Sequence, residues 1–294
     1  MHSDLNNILL LDGATGSELD RAGVDVGMPL WSANAILEAP EILRQVHIAY
    51  LEAGAQAIST NTFRTHERSL AKVGMGDRAE ELTAKAVEIA RSAVNEVNTD
   101  AIVFGSVAPL EDCYSPELAP LSKVCEEEHA QMIRYLVNSG VDLVLIETMC
   151  SAGELCAASI AAMENTDDWA VSMCLKQDSI GILLDGNPID EFVPALARAR
   201  FLGINCYPAT TLAEQVTYLR SIAPAHMPIA AYGNVGTADD EGGWVNTDAI
   251  DPIAFAAYAM DWVQAGASIV GGCCGTTPAT IAAIGKLRCS NPPP

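Results

Sequence analysis

Short apolar runs alternate with longer amphipathic stretches along the whole chain. The runs fall at Ile8–Asp12, Ala57–Thr62, Ala101–Ala108, Asp142–Thr148, Trp169–Leu175, Phe201–Cys206, Pro228–Asn234 and Ala267–Cys273. Most are continuously apolar, as in Ile102-Val103-Phe104 and Leu143-Val144-Leu145-Ile146, the pattern of parallel strands buried on both faces. The stretches between them carry helical spacing. After Pro40, residues Ile42, Val46, Ala49, Tyr50 and Ala53 recur on one face and Gly54 follows. Further helices are predicted over Asp77–Val97, Ser122–Asn138, Ser151–Met163, Asp190–Arg200, Thr211–Ile222, Pro252–Ala265 and Pro278–Leu287. Ser151 with Glu154, and Thr15 with Glu18, read as capping boxes. The phrases Glu-Ala-Gly-Ala (52–55) and Gln-Ala-Gly-Ala (264–267) echo each other at helix-to-strand junctions.

Eight strands, each followed by a helix, in 294 residues predict an α/β fold, a single (β/α)8 TIM barrel over 1–294. A doubly wound eight-stranded sheet is the alternative. No Pro/Gly/Ser-rich linker divides the chain, and residues 289–294, ending in three prolines, are expected to fray. In a barrel, chemistry sits at the carboxyl ends of the strands. Asp12, Asn61, Glu147, Cys206, Asn234, Cys273 and Cys274 fall there, and the long connections 110–121 and 235–251 follow strand ends as well.

Charge narrows the partners. Lys plus Arg is 16 against 38 for Asp plus Glu, a net charge of −22, so nucleic acid and anionic membrane are not expected as partners. The first residues lack a basic segment, and no apolar run approaches the ~20 residues of a membrane helix. Nine cysteines, an odd and scattered set, suit free thiols or metal ligands in a reducing cytoplasm.

The densest chemistry lies in Gly271-Gly272-Cys273-Cys274-Gly275-Thr276-Thr277-Pro278, with a third thiol in Gly203-Ile204-Asn205-Cys206. Neighbours on a regular strand point to opposite faces, so Cys273 and Cys274 reach one ion only where the strand end is irregular, as the glycines permit. Three thiolates at a barrel mouth make an open zinc site. Burial as small hydrophobes is the alternative for these thiols.

These motifs, together with Leu11-Asp12-Gly13-Ala14-Thr15-Gly16-Ser17-Glu18, Leu30-Trp31-Ser32, Thr60-Asn61-Thr62-Phe63 and Ile146-Glu147-Thr148, resemble the homocysteine S-methyltransferase family from residue 8 to about 285. The resemblance implies a barrel binding Zn2+ through Cys206, Cys273 and Cys274, with Asn205 behind them. It also implies homocysteine held through Asp12, Gly13, Ala14 and Glu147, and methyl transfer to its sulfur, giving methionine. Homocysteine and a small methyl donor are then the partners, and Trp31 and Asn234 are the expected donor contacts. Betaine-using members carry tyrosines where this chain has Arg64 and Thr148, and a C-terminal extension it lacks. S-methylmethionine or another sulfonium is therefore expected as donor. Glu111, Asp112 and Tyr114, and Trp244 with Asp239, Asp240 and Glu241, are candidates for an acidic, aromatic donor pocket. Betaine or a corrinoid protein is the alternative donor. A zinc-binding or redox-sensing barrel without turnover is the alternative from another class.

Overall fold

The computed structural model describes residues 8–97, 99–238 and 244–290. Its strands are β1 (Leu9–Leu10), β2 (Ala57–Ser59), β3 (Ile102–Val107), β4 (Leu143–Met149), β5 (Trp169–Met173), β6 (Leu202–Pro208), β7 (Ile229–Asn234), the small antiparallel pair β8 (Gly236–Ala238) and β9 (Trp244–Asn246), and β10 (Ile269–Gly272). All eight predicted strands are present and parallel, in the order β1-β10-β7-β6-β5-β4-β3-β2. The barrel closes where Leu11 bridges Ala57. There the N–H of Gln56 donates to the carbonyl of Leu10 at 2.7 Å and that of Asp12 to the carbonyl of Ala57 at 3.0 Å.

The helices are α1 (Thr15–Arg21), α2 (Ala35–Glu38), α3 (Pro40–Glu52), α4 (Glu67–Ala71), α5 (Ala79–Val97), α6 (Ser122–Asn138), α7 (Ala152–Asn165), α8 (Leu212–Ile222), α9 (Pro252–Gln264) and α10 (Pro278–Ser290). None is long and apolar enough to cross a membrane. Alternating strand residues feed two cores, which is why the strands read as unbroken apolar runs. Leu11, Phe104, Leu145, Ala170, Phe201 and Ile269 fill the barrel, with the Phe104 and Phe201 rings 5.9 Å apart. Val103, Val144, Ile146 and Val171 face the helical shell. The two echoing phrases end α3 and α9 alike: Gly54 and Gly266 adopt φ of 100° and 114°, a left-handed conformation that favours glycine.

Three local expectations are corrected. Asp190–Arg200 forms two tight 3₁₀ turns, Ile189–Glu191 and Val193–Leu196, because Pro194 supplies no N–H and its ring blocks helix continuation. Thr15 does not cap α1; Ala14 stands at the cap position, and Glu18 instead pairs with Arg21. Ser151 occupies the cap of α7 without a capping bond. The Ala152 N–H there is taken by the Asp185 carboxylate at 2.7 Å, while Glu154 accepts from the Leu110 N–H at 2.8 Å and sits 3.1 Å from Nε2 of His129. Of the tail 289–294, residues 289 and 290 complete α10, and 291–294 lie outside the described residues.

Candidate active site

A cavity of about 410 Å³ opens at the carboxyl ends of the strands, with Asp12, Trp31, Arg64, Glu147, Cys206 and Cys273 on its wall. At its floor the sulfur of Cys206 lies 3.0 Å from that of Cys273 and 3.8 Å from that of Cys274. The three sulfurs all lie within 4.8 Å of one another. Local irregularity brings them together, as the sequence required. β10 ends at Gly272, one residue before the pair, and Gly275 turns the chain at φ 81°. Cys206 itself has φ 52°, at a break in the β6–β7 register.

Asn234 does not sit on the cavity wall as a donor contact. Its Oδ1 accepts the N–H of Cys274 at 3.0 Å, while the carbonyl of Cys274 accepts from Val235 at 3.1 Å. β7 thus clamps the second cysteine. Asn205, fully buried, spends its amide on Thr148: its Oδ1 accepts the Thr148 N–H at 3.0 Å and its Nδ2 donates to the Thr148 hydroxyl at 2.8 Å. Thr148 therefore serves the wall between β4 and β6.

The donor set fits zinc. A tetrahedral zinc at ~2.3 Å from thiolates separates the sulfurs by about 3.8 Å. The Cys206–Cys274 spacing is already that wide, and the Cys206–Cys273 spacing needs less than an ångström of opening. Hydrogen bonding from Cys206 holds the Cys273 thiol well below the usual thiol range, while the same contact raises Cys206 well above it. One thiolate forms readily in this cluster, and ionising all three calls for a cation among them.

Glu147 enters the cavity from β4, one position before the left-handed Thr148 at φ 60°. The Ser106 hydroxyl donates to its Oε1, and the Tyr232 hydroxyl to its Oε2 at 3.3 Å. Burial pushes the carboxyl up to about 7 against those hydrogen bonds, with the charge of Cys273 adding to the rise. Asp12 lies at the barrel seam, its Oδ2 accepting the Ser59 N–H at 2.8 Å. Burial raises its carboxyl well above the usual range, against the Ser59 N–H, and nearby Glu147 raises it further.

Gly13 and Ala14 lead into α1 along the wall, followed there by Thr15, Gly16 and Ser17. The Ala14 N–H is already committed to the Thr276 hydroxyl at 3.1 Å, and that hydroxyl donates to the Cys273 carbonyl at 2.7 Å. Sequence reasoning missed Thr276, Ser106 and Tyr232. A signal existed for Ser106, a lone hydroxyl in the apolar run Ile102–Val107.

Trp31 and Phe63 meet edge to face on the wall, with centroids 5.6 Å apart at 75°. Asp112 and Tyr114, from the 110–121 connection, also line the cavity. Glu111 does not: its carboxylate pairs with Arg68 at 3.2 Å and Lys72 at 2.6 Å. Trp244 is half exposed, bonded through Nε1 to Asn246 at 2.8 Å, and lies off the cavity wall. Asp239, Asp240 and Glu241 fall outside the described residues.

Comparison with known proteins agrees with this geometry. The family model described as homocysteine S-methyltransferase matches residues 9–287. The homocysteine S-methyltransferase of Escherichia coli (strain K12) is 32% identical, over 96% of this chain and 95% of its own. A selenocysteine methyltransferase of Astragalus bisulcatus is 29% identical, over 97% and 94%. The crystal structure of the E. coli homocysteine methyltransferase MmuM in its metallated form superposes with a TM-score of 0.82, at 29% identity and 96% coverage of both chains. The chain belongs to the homocysteine S-methyltransferase family.

Proposed function

We propose that the protein transfers a methyl group from a small sulfonium donor, S-methylmethionine first, to the thiol of homocysteine, giving methionine. The observation that carries this reading is the convergence of three cysteine sulfurs on a cavity whose wall also holds Glu147 and Trp31. Residues 1–294 act as one homocysteine-binding domain. Cys113, Cys125, Cys150, Cys156, Cys174, Cys206, Cys273 and Cys274 are free thiols, which suits a reducing compartment, here the cytoplasm.

Cys206, Cys273 and Cys274 hold the zinc. When bound, it acts as a Lewis acid that keeps the homocysteine sulfur ionised at neutral pH. Glu147 takes the homocysteine ammonium through a charge-assisted hydrogen bond, which selects an amino acid over a bare thiol. The Asp12–Ala14 turn and the first residues of α1 take the carboxylate. Because Ala14 is already bonded to Thr276, the N–H groups that follow it carry this contact. Trp31 and Phe63 offer ring faces and edges to the donor cation. The wall lines up sulfur, methyl and leaving group for in-line displacement. A thiolate and a sulfonium become two neutral thioethers, so no residue needs to protonate the leaving group.

The test is a donor panel with homocysteine and the zinc-loaded protein, read by mass as methionine formed. S-methylmethionine is expected to lead S-adenosylmethionine and betaine. Faster turnover from betaine or a methyl-corrinoid at equal concentration overturns the sulfonium assignment. Zinc binding with no turnover from any donor overturns the enzymatic reading.

A further inference from the structure

Arg64 is a buried cation in a strongly acidic protein, and no carboxylate among the described residues forms an ion pair with it. Only 5% of the residue is exposed, yet it lines the active-site cavity. Its Nη1 donates to the backbone carbonyl of Glu111 at 2.7 Å, and its Nε is buried with no hydrogen-bond partner. The nearby acids are engaged elsewhere. Glu111 pairs with Arg68 and Lys72, and Asp112 accepts from the Tyr114 N–H at 2.9 Å in its own turn. The guanidinium carbon stands 5.4 Å from the Phe63 ring centroid, which steadies the plane of the group without neutralising it. A desolvated guanidinium with an open donor edge calls for an anion, and a carboxylate matches its fork.

We infer that Arg64 binds the carboxylate of the methyl donor, so that the enzyme selects donors that carry both a methylated cationic centre and a carboxylate. This rests on the proposed methyl-transfer reading and narrows its donor class. Arg64, Phe63 and Trp31 form a ladder with steps of 5.4 and 5.6 Å. In S-methylmethionine the carboxylate carbon and the sulfonium lie roughly 5 Å apart along the extended chain. A donor of that length reaches Arg64 with its anion while its cation stays by the aromatic pair. The arrangement also accounts for an arginine beside a site that takes a cation: repulsion at the sulfonium is offset by attraction at the other end. Homocysteine has its own proposed handles, at Glu147 and the N–H groups that open α1, so the arginine is left to the second substrate.

The experiment compares wild type, Arg64→Gln and Arg64→Lys, each full-length and zinc-loaded, with folding checked by circular dichroism and thermal melting. Each is assayed with S-methylmethionine and with (3-aminopropyl)dimethylsulfonium, which keeps the cation and amine but lacks the carboxylate. Wild type should favour S-methylmethionine in kcat/KM by roughly 10- to 100-fold, and Arg64→Gln should remove most of that preference. The decarboxylated donor and the homocysteine KM should move by less than about threefold, and Arg64→Lys should recover part of the preference. An unchanged preference in Arg64→Gln overturns the inference, as does an equal loss with both donors. A selective rise in the homocysteine KM also overturns it and reassigns Arg64 to the acceptor. If betaine proves to be the donor, the sulfonium reading fails by itself, and the inference is then read on betaine against choline by the same comparison. If only a methyl-corrinoid serves, both fail.

Discussion

Asn205 grips Thr148 with both ends of its amide, accepting the Thr148 N–H at 3.0 Å and donating to its hydroxyl at 2.8 Å. The two residues stand next to Cys206 and Glu147, and both Thr148 and Cys206 have positive φ. One buried pair therefore fixes the neighbours of a proposed metal ligand and a proposed substrate contact, on strands separated by β5. Asn205→Ala leaves the Thr148 N–H and hydroxyl without partners and should cost about 2–3 kcal/mol of stability. It should also weaken zinc binding by about 10- to 100-fold, as loss of a support behind a metal ligand does. Asn205→Asp keeps acceptors for both groups and should lose less. Thermal melting and competition with a chelator read the two effects.

Glu147 gives the site a pH dependence whose sign is fixed. Its carboxyl is held near 7, above the ordinary 4.5, so the folded protein keeps that proton more tightly than the unfolded chain. The metal-free protein should lose stability as pH rises from about 4.5 to about 7 through this group. Ammonium binding needs the ionised carboxylate, so the homocysteine KM should fall as pH rises through about 7. Glu147→Gln should flatten that limb and raise the homocysteine KM by the equivalent of about 1.5–3 kcal/mol, with the donor KM nearly unchanged. Steady-state kinetics across pH with each substrate varied provide the check.

The barrel was legible because burial on both faces makes each strand a continuous apolar run, and the helices between them keep their period. The metal cluster was legible through the family resemblance carried by the Cys206 and Cys273-Cys274 motifs, since spacing alone left burial as small hydrophobes open. What failed were local rules outvoted by distant partners. Glu154 looked like a capping residue for Ser151 and is spent on Leu110 and His129. One miss was local instead: Pro194 broke a stretch whose apolar spacing was helical. Thr276 joins Ala14, 262 residues away, to the Cys273 carbonyl, and no local pattern encodes such a contact. Asn234, expected as a donor contact, accepts the N–H of Cys274 through its Oδ1, a partner that the sequence does not announce.

Cys273→Ala should abolish zinc binding and methyl transfer and leave the fold intact. The sulfurs sit at the mouth, whereas the barrel is held by the interior and shell cores. Metal analysis of the reduced protein should give one zinc per chain in wild type and none in the variant, with superimposable far-ultraviolet circular dichroism. Chelation of the wild type should abolish turnover reversibly, with activity restored by added zinc. A variant that binds zinc with unchanged affinity would remove Cys273 from the ligand set.

Gly16 and Trp31 approach each other closely on the cavity wall. A Cβ on Gly16 would stand 2.5 Å from Cζ2 of the Trp31 indole, so alanine there forces the ring away from α1. Trp31 has little freedom to answer, since its backbone sits at φ 48° and its ring is packed edge to face on Phe63. If the indole serves a sulfonium, Trp31→Ala should weaken donor binding by about 0.5–2 kcal/mol. Gly16→Ala should act in the same direction although its own side chain adds only a methyl group. In a double variant the two losses should fall short of their sum, because the alanine at 16 no longer has a ring to displace. The homocysteine KM should hold in Trp31→Ala, which separates a donor contact from general damage to the mouth. Isothermal calorimetry of donor binding, with homocysteine kinetics alongside, measures both quantities, and a fully additive double variant would show that Gly16 and Trp31 act independently.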